Sequence, residues 1–271
     1  MSENRERVEV RILGPIEVVR PGGNRVELQL QCRKVLALLI AAPGRPVSTG
    51  QLVRWIWGDD NPPSHAPQMV RSHIRVLRGA LQVGAGRILT TSPAGYRLAA
   101  AGHVLDADRF RQLLTEARQR LPRDATGSTR VALAALDLWR GTEAMPDVVD
   151  VQPLRAESAY LEELRCQAEE MVVLSSLRSG HPEFALPRAR RLAELHPKRE
   201  RLWLQLMVAE TLSDRLVEAT VVTFWRARHH LVEETGLYAP GLDRLQRELL
   251  KGAPSTEQLL NLITHRDRSV A

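Results

Sequence analysis

The chain is predicted to be mainly α-helical with a small β component: an N-terminal winged helix-turn-helix followed by an all-α, tetratricopeptide-like domain. Three observations predict it. Residues 31–98 read as helix, helix, long Arg-studded helix and a short hairpin ending Gly95-Tyr96-Arg97-Leu98. That order belongs to a module that lays one helix in a major groove and a hairpin against the backbone. Beyond residue 105 only helix signals follow. Within them Gly180–Ala185 aligns with Asp214–Ala219, an offset of 34 residues, the period at which tetratricopeptide helix pairs stack on a shared core.

The elements follow in order. Val8–Leu13, Ile16–Val19 and Val26–Leu30 alternate apolar and polar residues, separated by Gly14-Pro15 and Pro21-Gly22-Gly23. They predict a small antiparallel sheet over residues 8–30. A first helix spans Cys32–Ala42 and is ended by Pro43-Gly44. Ser48 or Thr49 caps a second helix carrying Leu52, Val53, Ile56 and Trp57. Ser64 caps a third that runs to Gln82, and Arg87–Thr91 with Gly95–Ala99 form the hairpin. Asp106-Ala107-Asp108 opens the next helix and marks a domain junction. After a Thr126–Thr129 loop, helices are expected at 131–139, 153–180, 183–196, 198–212, 215–234, 239–250 and 256–263. Pro187 predicts a kink or a shifted helix start. The expected domains are 1–105, 106–253 and a short helix with polar tail at 254–271.

The third helix has two faces. Val70, Ile74, Leu77 and Leu81 recur at spacings of four, three and four residues as a buried stripe. Arg71, Arg75 and Arg78 share another face, with Gln68 and Ser72 beside it. A guanidinium can read guanine O6 and N7 bidentately in the major groove. A solvated charged face is the ordinary fate of such residues on an isolated helix. The preceding helices and the following hairpin favour DNA binding here. Thr90, Thr91, Ser92, Tyr96 and Arg97 supply hydroxyls and a cation for phosphates; Tyr96 serves equally well as a core anchor of the hairpin. Arg33 and Lys34 open the first helix, where N–H groups favour a phosphate, or are simply solvated.

Charge is uneven. Residues 1–105 carry 14 basic against 7 acidic side chains, a net of +7; residues 106–271 carry 24 against 25, a net of −1. The first domain is therefore the one suited to a polyanion. All basic residues are Arg except Lys34, Lys198 and Lys251, a bias that GC-rich codon usage largely explains. No apolar run approaches the ~20 residues needed to span a bilayer, and the polar N-terminus Met1–Arg7 lacks a signal peptide's apolar segment. A cytoplasmic, nucleoid-associated protein without membrane contact is expected. Cys32 and Cys166 form no CxxC or zinc set and read as packed thiols.

No P-loop, Rossmann glycine pattern, nucleophile elbow or metal triad is present, so no enzyme and no cofactor is expected. His229 or His230 with Glu233 or Glu234 has helical i,i+4 spacing, which an ordinary surface pair explains better than a metal site. Trp139, Trp203 and Trp225 read as packing residues, with a ligand groove as the lesser reading.

The residues also carry a resemblance. Ile12–Val18, Leu36–Leu39, Val47-Ser48, Leu52-Val53, Trp57–Asp60, Ile74–Leu81, Gly95–Leu98, Leu105–Phe110, Leu138–Gly141, Arg155–Glu157, Leu161–Arg165, His196–Trp203 and Arg226–Arg228 resemble the Streptomyces antibiotic regulatory proteins. The likeness covers residues 8–250. It implies an OmpR-type winged helix followed by a bacterial transcriptional activation domain. By that resemblance the chain is a small member that activates a secondary-metabolite gene cluster. It would bind direct repeats near the promoter −35 region as a homodimer on DNA and recruit RNA polymerase holoenzyme through its sigma factor. Neither a receiver domain nor a C-terminal ATPase is expected. His73-Ile74 is followed by Arg75-Val76-Leu77-Arg78, with the first Arg one place earlier than in many members. The loops at Thr142–Met145 and Gly236–Pro240 also depart from the family, so the base contacts and part of the helical surface are expected to differ. The alternative is a helical scaffold or ligand sensor whose winged helix contacts protein; steep salt dependence would distinguish DNA binding from it.

Overall fold

In the N-terminal segment the alternation of Val8, Val10 and Ile12 buries all three completely. The computed structural model describes residues 7–59, 62–81, 88–99, 103–236, 238–252 and 254–264. Arg87, expected to open the hairpin, lies outside them, as do residues 1–6 and the polar tail from 265. By its contacts the chain divides into two units, residues 1–112 with 135–165 and residues 113–134 with 166–271.

The first unit begins with β1 (Val8–Arg11), β2 (Glu17–Val19) and β3 (Arg25–Val26), paired antiparallel in the order expected. β3 is only two residues long, because Gln29 is already the extended residue before α1 (Leu30–Ile40). A fourth strand was not expected: β6 (His103–Leu105) pairs parallel to β1, opposing Val10 with Leu105, so the sheet order is β3-β2-β1-β6. Three residues are too few to show alternation. Directly after β6, the buried Asp106 accepts the N–H groups of Ile12 (2.8 Å) and Leu13 (3.0 Å). Those two donors have turned away from the ladder, and the carboxylate satisfies them.

α1, α2 (Thr49–Trp57) and α3 (Ala66–Leu81) pack on one another. Ser48 caps α2, its Oγ accepting the Gln51 N–H at 3.1 Å, as its residue type predicts. α3 starts at Ala66 rather than after a Ser64 cap, following a turn in which the Ala66 N–H donates to the Pro63 carbonyl. β4 (Leu89–Ser92) and β5 (Gly95–Leu98) form the hairpin in antiparallel register. Residues 135–165 complete this unit. The Arg140 N–H donates to the Leu13 carbonyl at 2.8 Å, the Met145 N–H to the Ile12 carbonyl at 3.1 Å, and Trp139 meets Phe110 edge-on at 5.7 Å.

The helices that follow are α4 (Asp106–Arg120), α5 (Ala125–Leu136), α6 (Gln152–Arg178), α7 (Pro182–Leu195) and α8 (Glu200–Leu212). α5 starts six residues earlier than expected and stops before Trp139. Asp124 caps it by accepting the Gly127 N–H at 2.7 Å, and the Ser128 hydroxyl donates to the Ala117 carbonyl at 2.7 Å. The polar Thr-Gly-Ser-Thr run is therefore helix, not loop. α7 begins at Pro182 and continues through Pro187, so the start is not shifted. The expected helix at 215–234 is not uniform: π-helical Glu218–Thr223 and His229–Glu233 flank α9 (Phe224–Arg228). α10 (Pro240–Leu250) and α11 (Thr256–Thr264) complete the second unit.

The 34-residue repeat has a backbone cause. After α6, Gly180 adopts φ +77°, the Gly180 N–H donates to the Leu177 carbonyl and the His181 N–H to the Ser176 carbonyl. After α8, Asp214 adopts φ +59°, with its own N–H on the Thr211 carbonyl and the Arg215 N–H on the Glu210 carbonyl. Both are the same left-handed helix stop, closing two orphan carbonyls. Trp203 is fully buried in this unit, its Nε1 donating to the Pro197 carbonyl at 2.8 Å. Trp225 departs from the packing expectation: it is 57% exposed, because it points off the face that buries Phe224 and Ala227.

Candidate nucleic-acid interface

α3 separates its residues as its spacing requires. Val70, Ile74, Leu77 and Leu81 are all buried against the first unit's core, joined by Ala66 and Ala80. Gln68, Arg71, Ser72, Arg75 and Arg78 are exposed. No described carboxylate lies within ion-pair distance of Arg71 or Arg75, so both guanidinium groups present their donors outward from neighbouring helical turns. Val76 lies between Arg75 and the buried Leu77 and is 49% exposed. It escapes the sequence reading because a single apolar residue off the stripe looks unremarkable, yet an exposed aliphatic group on such a helix suits a thymine methyl.

The rear of α3 is held from two sides. On α1 the buried Cys32 Sγ lies 3.3 Å from the His73 Nδ1, and burial pushes the thiol pKa up and the imidazole pKa down. Both groups therefore favour their neutral forms and act as packing. At the C-terminal end, Arg20 donates from Nη2 to the Gly79 carbonyl at 2.6 Å and from Nε to the Ala80 carbonyl at 3.3 Å. A cation there satisfies orphan carbonyls and complements the helix dipole.

The hairpin sits beside it. Gly95 adopts φ +130°, and a Cβ there would lie 2.1 Å from the Val47 carbonyl oxygen. That closeness lets Tyr96 pair with Val47 through two backbone bonds, at 2.7 and 2.9 Å. Thr91 and Arg97 are exposed, with Thr90 half-buried. The Thr90 hydroxyl donates to the Arg97 carbonyl and the Ser92 hydroxyl to the Gly95 carbonyl, so both stiffen the hairpin. Among described residues no carboxylate pairs with Arg97. Arg78 reaches across to this hairpin, donating to the Leu89 carbonyl at 3.4 Å and to the Thr91 hydroxyl.

Three expected contacts are placed elsewhere. The Tyr96 side chain is buried, as a core anchor of the hairpin requires. Lys34 is buried and paired with Asp150, and Arg33 is paired with Asp147 at 2.6 Å. An ammonium held under a carboxylate has no open side for a phosphate, and an anion would compete with Asp147 for Arg33. These carboxylates lie more than a hundred residues away in sequence, which is why helix-start position alone pointed to phosphate.

His229 and Glu233 form an exposed pair at 2.9 Å, and His230 and Glu234 another at 3.2 Å. The hydrogen bond to Glu233 raises the His229 pKa. Among the described residues no helix is long and apolar enough to cross a membrane.

Comparison with known proteins agrees with this architecture. Residues 23–98 match the family described as transcriptional regulatory protein, C terminal, and residues 105–250 match the bacterial transcriptional activator domain. The chain is 30% identical over 264 residues to the regulatory protein DnrI of Streptomyces peucetius, covering 93% of this chain and 95% of the relative. It is 31% identical over 258 residues to the transcriptional regulator RedD of Streptomyces coelicolor, covering 91% and 71%. Against the regulatory protein AfsR of Streptomyces coelicolor it is 32% identical over 251 residues, 92% of this chain but only 25% of that protein's length. Among solved structures, Mycobacterium tuberculosis EmbR in complex with low affinity phosphopeptide superposes with a TM-score of 0.83 at 26% identity. That match covers 95% of this chain and 69% of the EmbR chain.

Proposed function

The chain belongs to the Streptomyces antibiotic regulatory protein family, and from that premise we propose that it is a sequence-specific DNA-binding activator of a secondary-metabolite gene cluster. It is a transcriptional regulator with an OmpR-type winged helix and a bacterial transcriptional activator domain. The observation that carries the DNA reading is the outward face of α3: Arg71 and Arg75 exposed without a described counter-charge, backed by a fully buried stripe. In this reading Gln68, Arg71, Ser72 and Arg75 meet base edges, with Val76 available to a methyl group. Thr91 and Arg97 hold phosphates and fix register, while Thr90, whose hydroxyl donates to the Arg97 carbonyl, keeps the hairpin in shape. Arg33, Lys34 and Tyr96 have no part in it.

In the same proposal two protomers bind a direct repeat head to tail and bring RNA polymerase holoenzyme to the promoter. Residues 1–105 bear the DNA contacts and residues 106–253 the polymerase contacts. Their charge supports the split, +7 against −1 over residues 106–271. A protein-contact role is supported further by the exposed Val217, Val221 and Trp225, four residues apart on one helical segment; an apolar stripe of this kind is the sort of surface a protein partner covers.

The test is operator binding by the full chain, with its operator located by nuclease footprinting of promoters beside its own gene. Arg71→Ala and Arg75→Ala are each expected to cost about 1–3 kcal/mol and to relax selectivity at one base pair. Inserting about five base pairs between the repeats should abolish joint occupancy, because it turns the second site to the opposite face. Unchanged affinity in both Arg variants, with little dependence on salt, would favour the scaffold reading instead.

A further inference from the structure

We propose that Arg78 is a positioning residue that sets the wing against the recognition helix and reads no base itself. This rests on the reading of α3 and the β4–β5 hairpin as the DNA interface. Arg78 occupies the last turn of α3, whereas base edges are met mainly from the earlier part of a recognition helix. Its guanidinium is already committed: Nε donates to the Leu89 carbonyl at 3.4 Å and Nη2 to the Thr91 hydroxyl. Leu89 and Thr91 are alternate residues of β4, one buried and one exposed. A planar fork that holds both fixes the direction of the strand as well as its distance from the helix.

The helix end from which Arg78 reaches is itself anchored. Arg20 binds the Gly79 and Ala80 carbonyls, the residues immediately after Arg78. The tether therefore runs from a post fixed on the sheet to the middle of the first wing strand. Arg71 and Arg75, by contrast, have no described ion-pair partner. The consequence is that the separation between the groove-reading helix and the backbone-contacting hairpin is set before DNA arrives. Preorganisation of that kind raises affinity for every sequence equally, since it lowers the ordering cost of binding and touches no base.

The experiment uses the full chain and compares Arg78→Ala, Arg78→Lys, Thr91→Val and the Arg78→Ala/Thr91→Val double variant on the operator and on a panel of single-base-pair changes. Thermal melts establish that each variant is folded. Arg78→Ala and Thr91→Val are each expected to weaken binding about 2- to 10-fold, by the same factor across the panel, with loss of footprint protection on the wing side only. The double variant should be no worse than the weaker single one. Arg78→Lys should behave like Arg78→Ala, because an ammonium cannot span both acceptors. Selectivity relaxed at one base pair in Arg78→Ala would make Arg78 a base contact. Full affinity in Arg78→Lys would make it a phosphate contact, and additive losses in the double variant would remove the coupling. Each of these overturns the proposal. If Arg71→Ala and Arg75→Ala weaken binding while all the Arg78 variants do not, positioning alone fails. If none of them does, the interface itself is wrong.

Discussion

Glu210 shows how much a single buried carboxylate can report. It lies near the end of α8, 1% exposed, with Oε1 accepting from Arg190 at 3.4 Å. Burial raises its pKa above the ordinary glutamate value, and the nearby charge of Glu218 adds to that, against hydrogen bonds from Thr223 and Arg190. A carboxyl whose pKa is higher folded than unfolded takes up a proton on folding, so its contribution improves as pH falls through the raised value and is lost as pH rises through it. Glu210→Gln does not titrate. The parent is therefore expected to gain stability over Glu210→Gln between about pH 7 and about pH 4.5. Urea midpoints of both proteins at the two pH values check this; a difference that moves the other way on acidification rules it out. At this scale the sequence was a partial guide. The exposed Arg71 and Arg75 were legible from spacing alone, because a helix with one apolar stripe must turn its other residues to solvent. Lys34, Arg33 and Tyr96 were not, because what decides them are Asp150, Asp147 and the Val47 backbone, partners set by the fold and not by local pattern.

Among the elements, those with strong local causes were read nearly to their ends. α3 is seen through its stripe, α2 through its Ser48 cap, and the hairpin as two short runs that follow the third helix and end at Gly95-Tyr96-Arg97-Leu98. β6 was missed because its only cause is a neighbour, β1, far away in sequence. The first turn of α5 was missed because Thr-Gly-Ser-Thr has weak helix propensity, which the Asp124 cap and the buried Ser128 bond outweigh. The π-helical segments around α9 left no local mark at all. The repeat was visible as a match between Gly180 and Asp214 positions, and the structure supplies the reason: both residues stop a helix in the left-handed region. That equivalence makes a paired prediction. Gly180→Ala places a Cβ at φ +77° and should lower the stability of the second unit by about 1 kcal/mol. Asp214→Gly relieves the same conformation and should raise it by roughly 0.5 kcal/mol, the gain being partly offset by a freer unfolded chain. Urea unfolding followed by circular dichroism measures both. Shifts of the same sign would mean that the two stops are not equivalent.

For the molecule as a whole, the consequence lies in which residues complete the DNA-binding unit. A cut at residue 105 looks natural in the sequence, since Asp106 starts a helix and the charge balance changes there. Yet the first compact unit also takes in residues 106–112 and 135–165. Asp106 receives the Ile12 and Leu13 N–H groups, Arg140 and Met145 donate to the Leu13 and Ile12 carbonyls, and Asp147 and Asp150 hold Arg33 and Lys34. A fragment of residues 1–105 loses all of these together. Hydrogen bonds to a charged group contribute about 1.5–3 kcal/mol each, so losing the two bonds to Asp106 already removes a large share of a typical domain's stability of about 5–15 kcal/mol. The fragment is therefore expected to bind its operator more weakly than the full chain, although it retains every residue proposed to touch DNA. Amide hydrogen exchange separates this cause from a lost DNA contact. Ile12 and Leu13 should be strongly protected in the full chain and exchange rapidly in the fragment, with and without DNA-contacting substitutions on α3. Equal protection at those two amides in both proteins would show that residues 1–105 fold on their own, and that any loss of affinity has another origin.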